Sequence, residues 1–180
     1  MSVPDVAATS TFYEAVLGWS FMTPGPADGG YSIATKGGHP VAALGPVQSP
    51  DQPMAWLLYF ASDDVDATAA KITEHGGALL LEPGDAGPHG RLAVAADATG
   101  AIFAVWQAGD SIGAGLVNEP GGLTWEDLRS TDPTAAQDFY AKVFGLDMNA
   151  LDMAPGDYRT FHLAGDAAPL GGIGGFMGPE

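Results

Sequence analysis

Apolar and polar positions alternate along this chain with two different periods, and the switches between them mark elements. After Asp5, the apolar residues Phe12, Tyr13, Val16 and Leu17 fall at i, i+1, i+4 and i+5, on one side of a helix that also carries Val6. Asp5 is placed to cap that helix and Gly18 to stop it. Short stretches at 19–22, 31–35 and 41–44 then read as strands, separated by Pro24-Gly25-Pro26 and Gly37-Gly38. A further strand pattern over 54–61 leads into a helix over 64–75, with Val65, Ala69 and Ile72 at i, i+4 and i+7 and a stop at Gly76-Gly77. Strands at 79–81, 92–96 and 102–106 complete the order strand, helix, three strands.

The same order begins again at 123–129. Asp132 caps the next helix, Pro133 sits at its first position, and Phe139, Tyr140, Val143 and Phe144 form its stripe. Strands are expected at 148–152, 158–163 and 170–176. This helix restates the first one: Phe12-Tyr13 returns as Phe139-Tyr140 and Leu17-Gly18 as Phe144-Gly145, at an offset of 127 residues that also relates Tyr31 to Tyr158. A period that long is a duplicated domain and not a solenoid repeat. The fold class is therefore α+β, built from three βαβββ modules: 3–46, which opens on its helix without a leading strand, 54–108 and 123–177. The expected division is a first domain at 1–109, a Gly-rich linker at 110–122, and the first half of a second domain at 123–180. Such a half-domain has open sheet edges, so the ends look truncated, or two copies form a homodimer or exchange strands.

Composition narrows the partners. Six basic side chains face 22 acidic ones, a net charge of −16 that repels phosphate backbones and argues against nucleic acid. The apolar fraction of 46% is enough for a core, yet no apolar run is long enough to span a membrane. Cysteine is absent, which removes disulfides and thiolate chemistry and fits the cytoplasm. The opening residues, Met1-Ser2-Val3-Pro4-Asp5, do not read as a secretory signal. The Gly-rich runs 25–30 and 171–175 lack the Gly-x-x-x-x-Gly-Lys pattern of a phosphate loop and are expected to mark strand curvature.

Two blocks carry a resemblance. Asp63-Asp64-Val65-Asp66 opens a helix ending His75-Gly76-Gly77, and Gly90-Arg91-Leu92-Ala93-Val94-Ala95-Ala96-Asp97-Ala98-Thr99-Gly100-Ala101-Ile102-Phe103-Ala104-Val105-Trp106 forms a strand–turn–strand. With the doubled Phe-Tyr helix, the chain resembles the vicinal oxygen chelate superfamily of glyoxalase I, bleomycin-resistance proteins and extradiol dioxygenases. Its link 113–121 is similar to that of tandem-domain actinobacterial members often labelled hydroxylase-like. The resemblance implies paired modules around a cavity and a divalent metal held by His, Gln or Glu. The implied ligand positions fall on Leu57, Ala104 and Trp125, none of which binds metal. The reading that follows is a small-molecule binding protein with no metal or other cofactor and no assigned catalytic residue. The alternative is a metal-dependent lyase, isomerase or oxygenase that uses ligands outside this chain.

Candidate ligand-binding residues come from strand alternation. Leu57 and Tyr59 share one face, with Trp56, Leu58 and Phe60 on the other; Ile102, Ala104 and Trp106 share a face, as do Trp125, Asp127 and Arg129. If the family register holds, these faces line an aromatic cavity suited to an apolar ligand; a filled core is the competing reading. His89 and Arg91, in a Gly-rich loop, are placed to reach a ligand at the cavity mouth. Arg129 with Asp127 either orients a polar group or forms a structural ion pair. His39 in a turn, His75 at a helix end and His162 in a strand read as structural.

Overall fold

The computed structural model describes residues 1–22, 30–50, 52–151 and 157–176. The Gly-rich run 25–30, except Gly30, lies outside the described residues, as do Asp152 and Met177 at the ends of expected elements. Among the described residues, the order is β1 (Ser2–Val3), α1 (Val6–Leu17), β2 (Ser20–Phe21), β3 (Ser32–Lys36), β4 (His39–Pro46), β5 (Tyr59–Ala61), α2 (Val65–Glu74), β6 (Ala78–Asp85), β7 (Gly90–Ala96), β8 (Ile102–Ala108), β9 (Glu126–Arg129), α3 (Pro133–Phe144), β10 (Asp147–Ala150), β11 (Arg159–His162) and β12 (Gly171–Gly174). No described helix is long and apolar enough to cross a membrane.

The three modules share one topology. Each makes a four-stranded sheet in which the leading strand runs parallel to the last: β1-β4-β3-β2, β5-β8-β7-β6 and β9-β12-β11-β10. The first module is therefore not without a leading strand, as its sequence suggests. Ser2 and Val3 pair with Gly45 and Pro46, giving a leading strand two residues long. Pro4 then ends the pairing by removing a donor.

The helix caps follow the sequence. Asp5, Asp64 and Asp132 each accept a hydrogen bond from the backbone N–H three residues on, and Gly18 and Gly145 close α1 and α3 in the left-handed region. The expected strand 54–61 is mostly absent. β5 pairs only with β8 in the register Tyr59 to Ala104, so positions before Leu57 would face residues before Ile102, where β8 has not yet begun. Trp56 accordingly leaves the alternation. It packs on Tyr13 and Trp19, and its indole N–H donates to the Tyr13 hydroxyl at 3.2 Å.

Packing divides the chain into two compact units. The first holds Met1–Leu57 and Ser111–Thr124. Its core sets Trp19, Ala34 and Val41 against Tyr13, Leu17, Phe21 and Leu116. The expected linker is thus built into this unit: Trp19 donates its indole N–H to Gly121 O at 2.7 Å, and Gly115 N–H donates to Pro40 O at 2.7 Å.

The second unit holds Leu58–Asp110 and Trp125–Glu180. Here α2, α3 and the helix-side faces of two sheets share one core, from Val65 and Ile72 through Phe103 and Val105 to Phe139, Tyr140, Phe161 and Ile173. Phe103 sits at its centre, with ring centroids 5.6–5.9 Å from Phe60, Phe139, Tyr140 and Phe144. Beside it, buried Asp97 organises the β7–β8 turn by accepting from the Thr99 and Ala101 N–H groups and the Thr99 hydroxyl. Burial first, and the charge of Asp97 second, raise the Tyr140 phenol well above its ordinary range.

Phe103→Ala should cost about 3–5 kcal/mol in denaturant unfolding, because it empties the middle of the aromatic cluster. The folded state also keeps the Tyr140 proton at pH values where the unfolded chain loses it. Stability should therefore fall as pH climbs past about 10, and Tyr140→Phe should flatten that fall in melts taken from about pH 8 to 11.

Candidate ligand-binding faces

Each sheet of the second unit turns one face to the shared core and the other away from it. On β5–β8 the outward face carries Tyr59, Ile102, Ala104 and Trp106, with Leu92 and Val94 opposite on β7. Phe60, Phe103 and Val105 point to the core, so the expected alternation holds from Tyr59 onward. Tyr59 is 45% exposed, and its ring meets Trp106 edge-on at 6.4 Å. Trp106 lies across Gly90, where any Cβ would collide with its indole and with Gln107 O. The surface so formed is hydrocarbon and ring edge, with the Tyr59 hydroxyl as a polar group.

The structure separates the remaining candidates. Leu57 is half-buried and lies two residues before β5, at the end of the first segment of the first compact unit. Arg91 alternates with Leu92 onto the helix side of β7. It bridges Asp66 on α2 at 2.9 Å and Asp85 on β6, and these two carboxylates, Asp85 first, raise its pKa. Position 91 read as a loop because Gly90 precedes it, but β7 begins at that glycine. His89 ends a short 3-10 turn, Gly87–His89, and its Nδ1 is 2.8 Å from Asp110 Oδ1.

The outward face of β9–β12 has the same topology and opposite chemistry. Trp125, Asp127 and Arg129 share it, as their alternation implies, and Tyr158 joins them. Tyr158 donates its hydroxyl to Asp127 Oδ1 at 2.8 Å and accepts from the Trp125 indole N–H at 3.3 Å. Arg129 clasps Asp127 through Nε at 2.7 Å, donates to Gly175 O at 3.3 Å, and stands 4.7 Å from the centre of the Tyr158 ring. Of the two alternatives for Arg129, the ion pair is formed. Burial first and the Asp127 bond second push the Tyr158 phenol upward. Further along the face, Thr160 and His162 are buried and joined at 2.8 Å through His162 Nε2, while His162 Nδ1 has no hydrogen-bond partner among the described residues.

Tyr158 was not among the sequence candidates. Its signal was the recurrence of Tyr31 together with glycine at the matching cross-strand positions. Tyr31 lies across Gly45 and Tyr158 across Gly172 and Gly174, where a Cβ would overlap the phenol ring or its hydroxyl. The middle module makes the same contact with the roles exchanged: the ring, Trp106, comes from the last strand and the glycine from the third.

Metal donors do not gather here. Among the described residues, no group of three or more His, Asp or Glu side chains is close enough to hold an ion. The family's implied positions present Leu57, Ala104 and Trp125. These residues do not fit a divalent cation, which needs imidazole or oxygen donors.

Gly172→Ala should destabilise the protein by about 1–3 kcal/mol through overpacking against Tyr158. The same change made in a Tyr158→Ala background should cost less, so a double-mutant cycle of unfolding free energies should show positive coupling.

The sequence profile of the Glyoxalase/Bleomycin resistance protein/Dioxygenase superfamily matches residues 1–126. CFP32 of Mycobacterium bovis, whose name assigns it provisionally as a glyoxylase, is 39% identical over 184 positions that take in 99% of this chain and 69% of that protein. DnrV of Streptomyces peucetius, named an anthracycline biosynthesis protein, is 38% identical over 158 positions, 79% of this chain and 58% of that one. The Mn(II)-bound glyoxalase from Novosphingobium aromaticivorans superposes with a TM-score of 0.72 at 19% identity, covering 97% of this chain and 59% of that structure. BphC, a halotolerant catechol dioxygenase, gives 0.64 at 15% identity, covering 97% and 62%. The chain thus spans less than two thirds of DnrV and of both solved neighbours. Three sheets of one βαβββ topology and a profile match over most of the sequence lead to one assignment: the chain belongs to the Glyoxalase/Bleomycin resistance protein/Dioxygenase superfamily.

Proposed function

We propose that this chain binds a small aromatic or otherwise apolar molecule against the outward face of β5–β8, without a metal ion, as a binding member of its superfamily. The observation that carries the reading is the pairing of exposed Tyr59 with half-buried Trp106 on a floor of Ala104, Leu92 and Val94. Burying such a surface under a ligand releases water from hydrocarbon at roughly 25 cal/mol per Å². The rings offer edge and face contacts in addition. Leu57, Ala104 and Trp125 at the family's ligand positions support the metal-free part of the reading. The name of DnrV links a relative to anthracyclines, which are fused-ring aromatic compounds. Trp125 and Arg129 lie on the outward face of a different sheet, β9–β12, where Arg129 is already engaged by Asp127. A cytoplasmic location belongs to the same reading, and the lack of cysteine fits it.

The test is a titration of the purified chain with 1,8-dihydroxyanthraquinone, following tryptophan fluorescence. Saturable quenching is expected, unchanged by EDTA, and Tyr59→Ala and Trp106→Ala should each weaken binding by about tenfold or more. Stoichiometric Zn, Mn, Fe or Ni in the purified protein, or binding that needs one of these ions, would instead support a metal-dependent lyase, isomerase or oxygenase.

A further inference from the structure

Between the first turns of α3 and the β10–β11 end of the third sheet lies a cavity of about 340 Å³ that the β5–β8 reading does not use. Its described walls include Thr134 and Gln137 on α3, Ala150 and Leu151 at the end of β10, and Asp157 and Arg159 where β11 begins. All of them belong to the third module, so the cavity is formed within that module and needs no neighbour. Its volume falls in the range of about 300–1,000 Å³ usual for small-molecule sites.

The polar groups on these walls are only partly engaged. Gln137 is 5% exposed, and both N–H bonds of its amide are used: Nε2 donates to Asp157 O at 2.7 Å and to Ile173 O at 3.0 Å. Its Oε1 accepts no hydrogen bond among the described residues and is left to the cavity that Gln137 lines. An amide oxygen held there without a donor is suited to take one from a ligand. The Arg159 guanidinium and the Asp157 carboxylate likewise form no ion pair or side-chain hydrogen bond among the described residues.

The second module shows what an arginine in this corner holds. Arg91 and Arg159 both lie on the helix side of the third strand of their module, at different register positions, and Arg91 is bridged at 2.9 Å by Asp66, the second residue of α2. The second residue of α3 is Thr134. The helix carboxylate that closes the corner in the second module is therefore missing from the third, while the arginine remains. At the 127-residue offset the first module carries Ala7, Ser10, Gly30 and Ser32 in place of Thr134, Gln137, Asp157 and Arg159, so neither charge is a requirement of the fold.

We propose that this cavity binds a free α-amino acid with an apolar side chain. The ligand carboxylate pairs with Arg159 as Asp66 pairs with Arg91, and the positive end of the α3 dipole adds to that attraction. The ligand ammonium donates to Gln137 Oε1 and is balanced by the Asp157 carboxylate. The ligand side chain rests on Ala150 and Leu151. The net charge of −16 repels a plain carboxylate, whereas an amino acid is a zwitterion and enters the same field with no net charge.

Isothermal titration calorimetry of the full chain with L-leucine at neutral pH tests this, with isocaproate, which lacks the amine, and isoamylamine, which lacks the carboxylate, as comparisons. Saturable binding of leucine is expected, with each comparison weaker by about tenfold or more. Arg159 is exposed, so Arg159→Gln should leave the melting temperature unchanged and weaken leucine by about tenfold or more. Thr134→Asp gives the third module the carboxylate that the second has at Asp66, and should abolish binding by pairing with Arg159. An acidic residue in the first turn of a helix is favourable, so this variant folds. Asp157 is held at a φ of 54°, and the first module has Gly30 at that position, so Asp157→Gly relieves the backbone. It should weaken leucine and leave isocaproate unchanged. No saturable heat up to about 10 mM leucine, isocaproate bound as tightly as leucine, or leucine binding that Arg159→Gln leaves intact would each overturn the proposal.

Discussion

Phe103 meets four other rings, and that contact joins two modules into one body. Phe60 reaches it from the same sheet; Phe139, Tyr140 and Phe144 reach it from the helix of the next module. A βαβββ module alone is thin: one sheet, one helix, and a single interface between them. Burying the outer side of each helix against a neighbouring module turns two such layers into a core that neither could make alone. The small residues Ala93, Ala95, Ala136 and Gly77 let the aromatic rings approach that closely. Once the helix faces are committed to each other, the opposite faces of the sheets are left for other uses.

Those faces show how far repetition and chemistry can part. The strand order is the same in all three modules, yet the β5–β8 face is hydrocarbon and ring while the β9–β12 face carries a chain of hydrogen bonds from Trp125 through Tyr158 and Asp127 to Arg129. Topology depends on the turns, caps and inward positions, and these are retained. Outward positions carry no such constraint, so their chemistry is set by what each face must meet.

Much of this was legible in the sequence because local rules decide it. The caps Asp5, Asp64 and Asp132, the glycine stops and the period of the α3 stripe are governed by neighbours within a few residues, and the structure repeats them. What was not legible depends on pairing across the chain. The length of β5 is set by where β8 begins, far away in sequence. Arg91 sits one residue inside β7, and that single step moves it to the helix side and onto Asp66 and Asp85. The segment after Gly109 reads as a linker by composition, but its carbonyl at Gly121 completes the hydrogen bonding of Trp19. The grouping of Tyr158 with Trp125 and Arg129 needed two facts together: a recurring tyrosine, and glycines on the strand beside it.

The ring laid across a glycine in each module, Tyr31 on Gly45, Trp106 on Gly90 and Tyr158 on Gly172, also determines what a visiting molecule would meet. A ring packed against a neighbouring strand's backbone has given up rotamer freedom during folding. Nothing in it has to be ordered again at the moment of contact. Under the proposed function, the surface beneath a guest would be paved in advance, its shape inherited from strand pairing and not adjusted to the guest. Such a floor would select by planarity and outline, and would discriminate poorly between molecules that differ only at their far edges.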